Sequence, residues 1–387
     1  MGGMSGGLQG EPAGMPQRSE PLLFGEAPRA RALPFLALVD APTPVEPLWS
    51  ARAGLRDGLW QKRDDLASTR YGGNKVRRFE WLLADALDRG ARTLVTAGGY
   101  ASTQVTATVL HGTAHGLDVE AVLFEQPMTD FAREALALDV AAHAPGDDSP
   151  GAAPDAATGV TLFDGRSYAR TAWRLAQRMR AARRPYLVLP GASSPLPNLG
   201  YVDAMLELAE QVARGECPRP DRIIVPTGSG GTVVGLALGA ALLGWPTVIT
   251  AVRITEPYVT NRFSLAALLY ATRRRLVTLG VRGARRLEDA RVEVDGSFLG
   301  EGYGFPTAQT PEGMALTEEL IGKPGEVTYS GKGLAALASW SRRAPREEIL
   351  YWHTLSSTGR DPGASSRAAP PQLPEELRRV FKGAVVG

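Results

Sequence analysis

The chain has 387 residues, 44% of them hydrophobic, and 43 Lys and Arg against 41 Asp and Glu give it a formal charge of +2. Such a composition excludes a disordered or collagenous chain, and the charge is too small to draw nucleic acid or an anionic membrane. A single cysteine, Cys217, and four scattered histidines exclude an internal disulfide framework and a multi-cysteine metal site, so a small molecule is the expected partner.

Taken in chain order, residues 1–30 are rich in Gly, Pro and Ser and read as a tail without a secretory apolar core. No run of about 18 uninterrupted apolar residues follows anywhere, so no membrane span is expected and the reading is cytoplasmic. QKRDDLASTRYGGNKVRRFEWLL (61–83) leads into an amphipathic helical pattern with Lys75 at its start. From there short apolar runs alternate with helical ones: 92–98, 119–125, 186–191, 222–228, 247–255 and 348–354 are the strand candidates. Apolar on both faces and separated by helices, they predict parallel α/β sheets, in two clusters before about 195 and after about 220, with a cleft between. The segment 144–159 reads as an exposed loop, and residues 363–387 as a second tail.

Two segments carry chemistry. In RIIVPTGSGGTVVGLALG a strand runs into Thr227, Gly228, Ser229, Gly230, Gly231 and Thr232, and a helix follows at once. Glycines that let backbone N–H groups crowd an anion, together with the positive end of a helix, make a phosphate cup. The competing reading is a tight turn whose glycines only permit close packing. A dinucleotide fits poorly: the strict Rossmann spacing is missing, and Trp245-Pro246-Thr247 occupies the place of the ribose-binding acid. A Walker loop would need a lysine after the glycines. The other segment is Gly72-Gly73-Asn74-Lys75, where a helix N-terminus and the neighbouring Arg77 and Arg78 favour the neutral amine that a Schiff-base lysine needs.

Seven stretches in order, KRDDL…GGNKVRRFEWLL, VTAGGYASTQ, PGASSPLPNLGYVDAMLEL, PTGSGGTVVGL, GYGFP, TYSGKGLAAL and LYWHT, resemble the D-cysteine desulfhydrase and aminocyclopropane-carboxylate deaminase family. The resemblance covers residues 60 to about 357 and implies a fold type II, tryptophan-synthase-β-like α/β protein that uses pyridoxal 5'-phosphate. It implies that Lys75 carries the cofactor, with Asn74 as its neighbour, and that Thr227 to Thr232 hold the phosphate. Ser102 matches a serine facing the substrate, Tyr303 and Tyr329 match two tyrosines near it, and Thr354 matches the residue beside the pyridine nitrogen. Thr103 stands where the family has the Asn that contacts the cofactor's phenolic oxygen, and Leu355 and Ser356 replace two glycines. Ser330 and Thr354 side with the desulfhydrases, whose deaminase relatives carry Glu and Leu there.

The implied reaction is β-elimination from a small amino acid. Replacement, racemisation, ring opening and a non-catalytic binding protein are the alternatives. The resemblance further implies a homodimer whose protomer has a large domain (31–82 and 201–362) and a small one (83–200).

Overall fold

The computed structural model describes residues 19–49, 55–142 and 158–383. Ten strands form in it: β1 Val45–Pro47, β2 Leu59–Lys62, β3 Thr93–Gly99, β4 Asp118–Phe124, β5 Val160–Arg166, β6 Pro185–Val188, β7 Arg222–Thr227, β8 Val248–Arg253, β9 Val292–Asp295 and β10 Ile349–Trp352. All six strand candidates are among them, and the two clusters become two sheets. One has the order β1-β2-β10-β7-β8-β9 and the other β5-β4-β3-β6. Every pairing is parallel except β1 with β2. The central strands β3, β7 and β10 are buried along their whole length, as expected of parallel sheets with helices on both faces.

Four strands were not anticipated. β1, β2 and β9 are three or four residues long and mix charged with apolar positions, too short to show a period. β5 carries Asp164 and Gly165 and follows directly on the Pro/Gly-rich loop, whose residues 144–157 lie outside the described ones.

Both expected tails are shorter than their composition suggested. Leu23, Phe24, Ala27 and Ala30 pack into the core of the six-stranded sheet, and the Leu23 N–H donates to Asp203 Oδ1 at 2.8 Å. At the other end Leu373, and Leu377 and Phe381 of the helix Glu375–Phe381, are buried in the core of the four-stranded sheet. These apolar anchors offset the ordering entropy that Gly and Pro content alone predicted would win.

The helix Val76–Asp88 joins the two cores. Trp81 packs with the six-stranded sheet, while Phe79, Leu82, Leu83 and Ala86 pack with the four-stranded one. A domain boundary at residue 82 or 83 therefore falls inside an element that both sheets share. Its polar face is buried as well: Arg77, Arg78, Glu80 and Asp85 are all under cover. Each has a partner, such as the Glu80 carboxylate, which accepts from the Leu38 and Val39 N–H groups at 3.2 and 3.1 Å.

Candidate active site

The chemistry-bearing segments each follow the C-terminal end of a parallel strand, where open α/β sheets leave a crevice for ligands. Ser102 follows β3, the Thr227–Thr232 loop follows β7, Glu256 follows β8 and Thr354 follows β10. Of these, Ser102 and the Thr227–Thr232 loop line a cavity of about 360 Å³ between the sheets, with Glu256 and Thr354 set behind its wall.

Lys75 reaches this cavity because of the glycines before it. Gly73 adopts a left-handed φ of +83°, and a Cβ there would sit 2.7 Å from the Thr354 carbonyl oxygen. The chain thus passes close enough for the Asn74 N–H to donate to that carbonyl at 3.0 Å. Lys75 caps the Val76–Asp88 helix, and its Nζ donates to Asn74 Oδ1 at 2.6 Å. The Asn74 amide in turn donates to Thr232 Oγ1 at 3.1 Å, so the lysine segment and the glycine loop are joined by one side chain. Burial, and then the Arg78 charge, hold the Lys75 amine well below the usual lysine range. Of the two arginines credited with this effect only Arg78 produces it. Arg77 turns away to bind Asp64 and Glu207 at 2.9 and 2.8 Å.

The glycine loop is built as a cup. Gly230 has φ +86°, and a Cβ on it would meet Leu265 Cδ2 at 2.3 Å, so glycine is required there. The helix Gly231–Leu242 then starts with its N–H groups toward the cavity end where Arg78 lies. Arg78 donates to Thr232 Oγ1, to Ser193 Oγ at 3.0 Å and to the Gly191 carbonyl at 2.5 Å. The Ser193 and Ser229 hydroxyls are 2.6 Å apart. Among the described residues no carboxylate forms an ion pair with Arg78, its Nε has no partner, and burial pushes its guanidinium down to about 10. A buried cation with no counter-charge, beside a helix N-terminus and two hydroxyls, fits a phosphate group.

Thr354 provides a second fit. It does not itself line the cavity, but it lies directly behind Asn74, and its Oγ1 is buried without a hydrogen-bond partner, a donor left over beside the Lys75 segment. Lys75, Asn74, Arg78, Thr354 and the Thr227–Thr232 loop therefore suit pyridoxal 5'-phosphate.

Tyr303 and Tyr329 come together as expected, with their hydroxyl oxygens 3.3 Å apart. Burial raises both above the usual phenol range, Tyr329 to about 12 and Tyr303 well above it. Ser102 lines the cavity and also caps the Thr103–Ala114 helix, accepting from the Val105 N–H at 3.4 Å. Thr103 does not line the cavity. The next residue does: Gln104 Oε1 accepts from the Gly191 N–H at 3.2 Å, and its amide is fixed by Thr96 and Thr108 at 2.9 and 2.8 Å. Ser330 also lies off the cavity, its hydroxyl turned to the Glu326 carbonyl at 3.3 Å.

Sequence reasoning did not single out Arg78 as a ligand, nor Ser193, Phe124 and Tyr168. Arg78 was within reach, since a residue three positions after Lys75 shares its helix face. The others come from the four-stranded sheet and the segment that leads out of it, and nothing local marks them.

A buried lysine held well below the usual amine range, beside a glycine loop at a helix start and between two mostly parallel sheets, suits a pyridoxal-phosphate-type enzyme site. Residues 36–354 match the family model described as "Pyridoxal-phosphate dependent enzyme", and the chain belongs to that family. The D-cysteine desulfhydrase of Salmonella paratyphi C (strain RKS4594) is 32% identical over 331 residues, which cover 83% of this chain and 93% of that protein. The crystal structure of a protein described as "the ACC deaminase homologue" superposes with a TM-score of 0.68 at 26% identity, covering 88% of this chain and 96% of that one. The O-acetylserine-dependent cystathionine β-synthase of Helicobacter pylori shares the fold at a TM-score of 0.51 and 14% identity, over 82% of this chain and 94% of that one.

Proposed function

We propose that this chain catalyses β-elimination from a small amino acid carrying a sulfur leaving group, in the manner of D-cysteine desulfhydrase. The observation that carries the proposal is the buried Lys75 amine, held well below the usual lysine range beside the uncompensated Arg78 cation, in a cavity also lined by the tyrosine pair.

When bound, the cofactor supplies an electron sink for the charge left at the substrate Cα. Arg78, Ser229 and Thr232 anchor and orient at the phosphate end. Lys75 Nζ, whose burial favours the unprotonated amine, is the base that takes the Cα proton. Asn74 Oδ1 fixes the direction of that amine. Tyr303 and Tyr329 remain protonated and can hand a proton to the departing sulfur, and Ser102 offers a hydroxyl to the substrate carboxylate. Thr354, a hydroxyl rather than a carboxylate, favours a milder electron sink suited to elimination. Burial of Lys75, Asn74 and Tyr303 keeps bulk water from the reacting end of the cavity.

Further support for two copies per molecule comes from the helix Arg262–Thr278, where Phe263, Tyr270 and Val277 are exposed seven residues apart, and so on one face. We read a cytoplasmic homodimer, its protomer divided into a small domain around β3 to β6 and a large one around the other sheet. The test is release of pyruvate, ammonia and sulfide from D-cysteine by the cofactor-loaded protein. No pyruvate from either enantiomer of cysteine or of its S-alkyl derivatives, or undiminished release by Lys75→Ala, would sink the proposal.

A further inference from the structure

Five aromatic rings run in series from the reacting end of the cavity to solvent. Tyr329 and Tyr303 have ring centroids 6.3 Å apart, Tyr303 and Phe124 6.3 Å, Phe124 and Tyr168 4.6 Å, and Tyr168 and Tyr258 6.3 Å. Exposure rises outward, from 8% at Tyr303 to 46% at Tyr168 and 71% at Tyr258, so the series leads from the catalytic tyrosines to the mouth.

Both sheets contribute. Phe124 ends β4 and Tyr168 starts the helix Tyr168–Ala181, whereas Tyr303, Tyr329 and Tyr258 come from the segments around the six-stranded sheet. Glu256 fixes the junction, accepting from the Tyr303 N–H at 3.2 Å and from the Tyr168 hydroxyl at 3.4 Å. Both of its oxygens are thereby engaged, and Glu256 is not among the residues that line the cavity. Leu175 and Val259 also line the cavity. The cations among the lining residues are Lys75 and Arg78, both at the cup end, so an anionic substituent would find no partner along the rings.

Bare cysteine, whose β-substituent is a single sulfur, would leave this lane empty. We infer that the substrate is a cysteine thioether whose sulfur bears an apolar or aromatic group lying along the rings from Tyr303 through Phe124 to Tyr168. Ring faces hold both apolar surface and thioether sulfur. The inference rests on the elimination reading and specifies its leaving group. The Cα proton passes to Lys75 Nζ, the Cβ–S bond breaks with its electron pair on sulfur, and the thiolate takes a proton to leave as RSH. The three-carbon product takes up water and leaves as pyruvate and ammonium. No oxidant or reductant is needed.

The experiment compares cysteine, S-methylcysteine and S-benzylcysteine, each as both enantiomers, with the cofactor-loaded protein and pyruvate as readout. For the reactive enantiomer, kcat/KM for the benzyl thioether should exceed that for cysteine by about tenfold or more, since several methylene equivalents leave water. In Phe124→Ala and Tyr168→Ala the benzyl-to-cysteine ratio should fall at least about fivefold, by loss of one ring from the lane. Tyr168 is half exposed, so its variant serves even if the Phe124 variant folds poorly. Turnover of cysteine at equal or higher kcat/KM, or a ratio unmoved in Tyr168→Ala, overturns the inference and leaves elimination standing. Absence of pyruvate from all three compounds overturns elimination and the inference with it.

Discussion

Arg78 donates to the Thr232 hydroxyl, and among the described residues no carboxylate pairs with its guanidinium. A cation buried without a counter-charge destabilises a protein until an anion arrives, and on the proposed reading that anion is the cofactor phosphate. Replacing Arg78 by Met should therefore leave the melting temperature of the cofactor-free protein unchanged or higher. Cofactor affinity should drop about ten- to a hundredfold, the value of one or two hydrogen bonds to a charged group. Titrating the stripped protein with pyridoxal 5'-phosphate and recording the melting temperature before and after loading gives both numbers. A large fall in stability without a change in affinity would make Arg78 a structural residue.

Lys75 yields a pH prediction. Its folded-state pKa lies well below 10.5, chiefly through burial. The unfolded chain then binds one more proton than the native state between the depressed value and 10.5, so this lysine weakens the cofactor-free fold, and the penalty fades as pH rises toward 10.5. Lys75→Met in cofactor-free form should melt higher than the parent at pH 7, with the gap closing as pH climbs. The same variant should bind the cofactor without covalent attachment and lose turnover. Thermal melts from pH 6 to pH 10 check the first part, and absorbance of the loaded protein checks the second.

How much of this could be read from the sequence depends on how local each feature is. The glycine cup, the Lys75 segment and the buried strands show themselves within a dozen residues, because strand, turn and helix are contiguous there. Thr103 was assigned by its place in a motif, yet the side chain that enters the cavity is Gln104: one residue at a helix start turns a side chain by about 100°. Leu377 and Phe381 lay hidden in a segment dominated by Pro, Ser and Gly, where composition outweighed two well-spaced apolar anchors. The ring lane was illegible for a different reason. Phe124, Tyr168, Tyr303 and Tyr329 belong to separate elements, and only the pairing of two sheets brings them into line.

The tyrosine pair shares one hydrogen bond, so its members should not act independently. Both hydroxyls hold their protons at neutral pH, Tyr329 up to about 12, so neither should limit the alkaline side of the rate profile below that value. Tyr303→Phe and Tyr329→Phe should each lower kcat about a hundredfold, the lower end of what a positioned acid contributes. The double variant should lose little more than the worse single one, because removing either hydroxyl breaks the shared contact. Steady-state kinetics of the four proteins decide the matter, and strictly multiplicative losses would show the hydroxyls to be independent.

Below the cavity Lys62, Arg77, Asp64 and Glu207 form a fully buried charge cluster that clamps the helix Val76–Asp88 to the six-stranded sheet. Glu207 Oε1 accepts from Lys62 Nζ at 2.6 Å and from Arg77 Nη2 at 2.8 Å, while Asp64 accepts from Tyr201 and Trp352 at 2.8 and 2.7 Å. Arg77 and Lys62 hold Glu207 far below the usual carboxylate range in spite of its burial, whereas burial outweighs Glu207 at Lys62 and lowers that amine. Glu207→Gln removes one anion from two cations and should cost about 3–5 kcal/mol at pH 7. Because the folded pKa of Glu207 is depressed, its contribution is complete above the ordinary glutamate value of 4.5 and disappears as pH falls toward the folded value. Urea unfolding of parent and variant should thus differ widely at pH 7 and converge below about pH 4.5. Arg77 lies two residues from Lys75, so the variant should also loosen the cofactor, seen as a weaker affinity at pH 7. A gap in stability that stays constant from pH 7 to pH 3 would assign the loss to packing instead of charge.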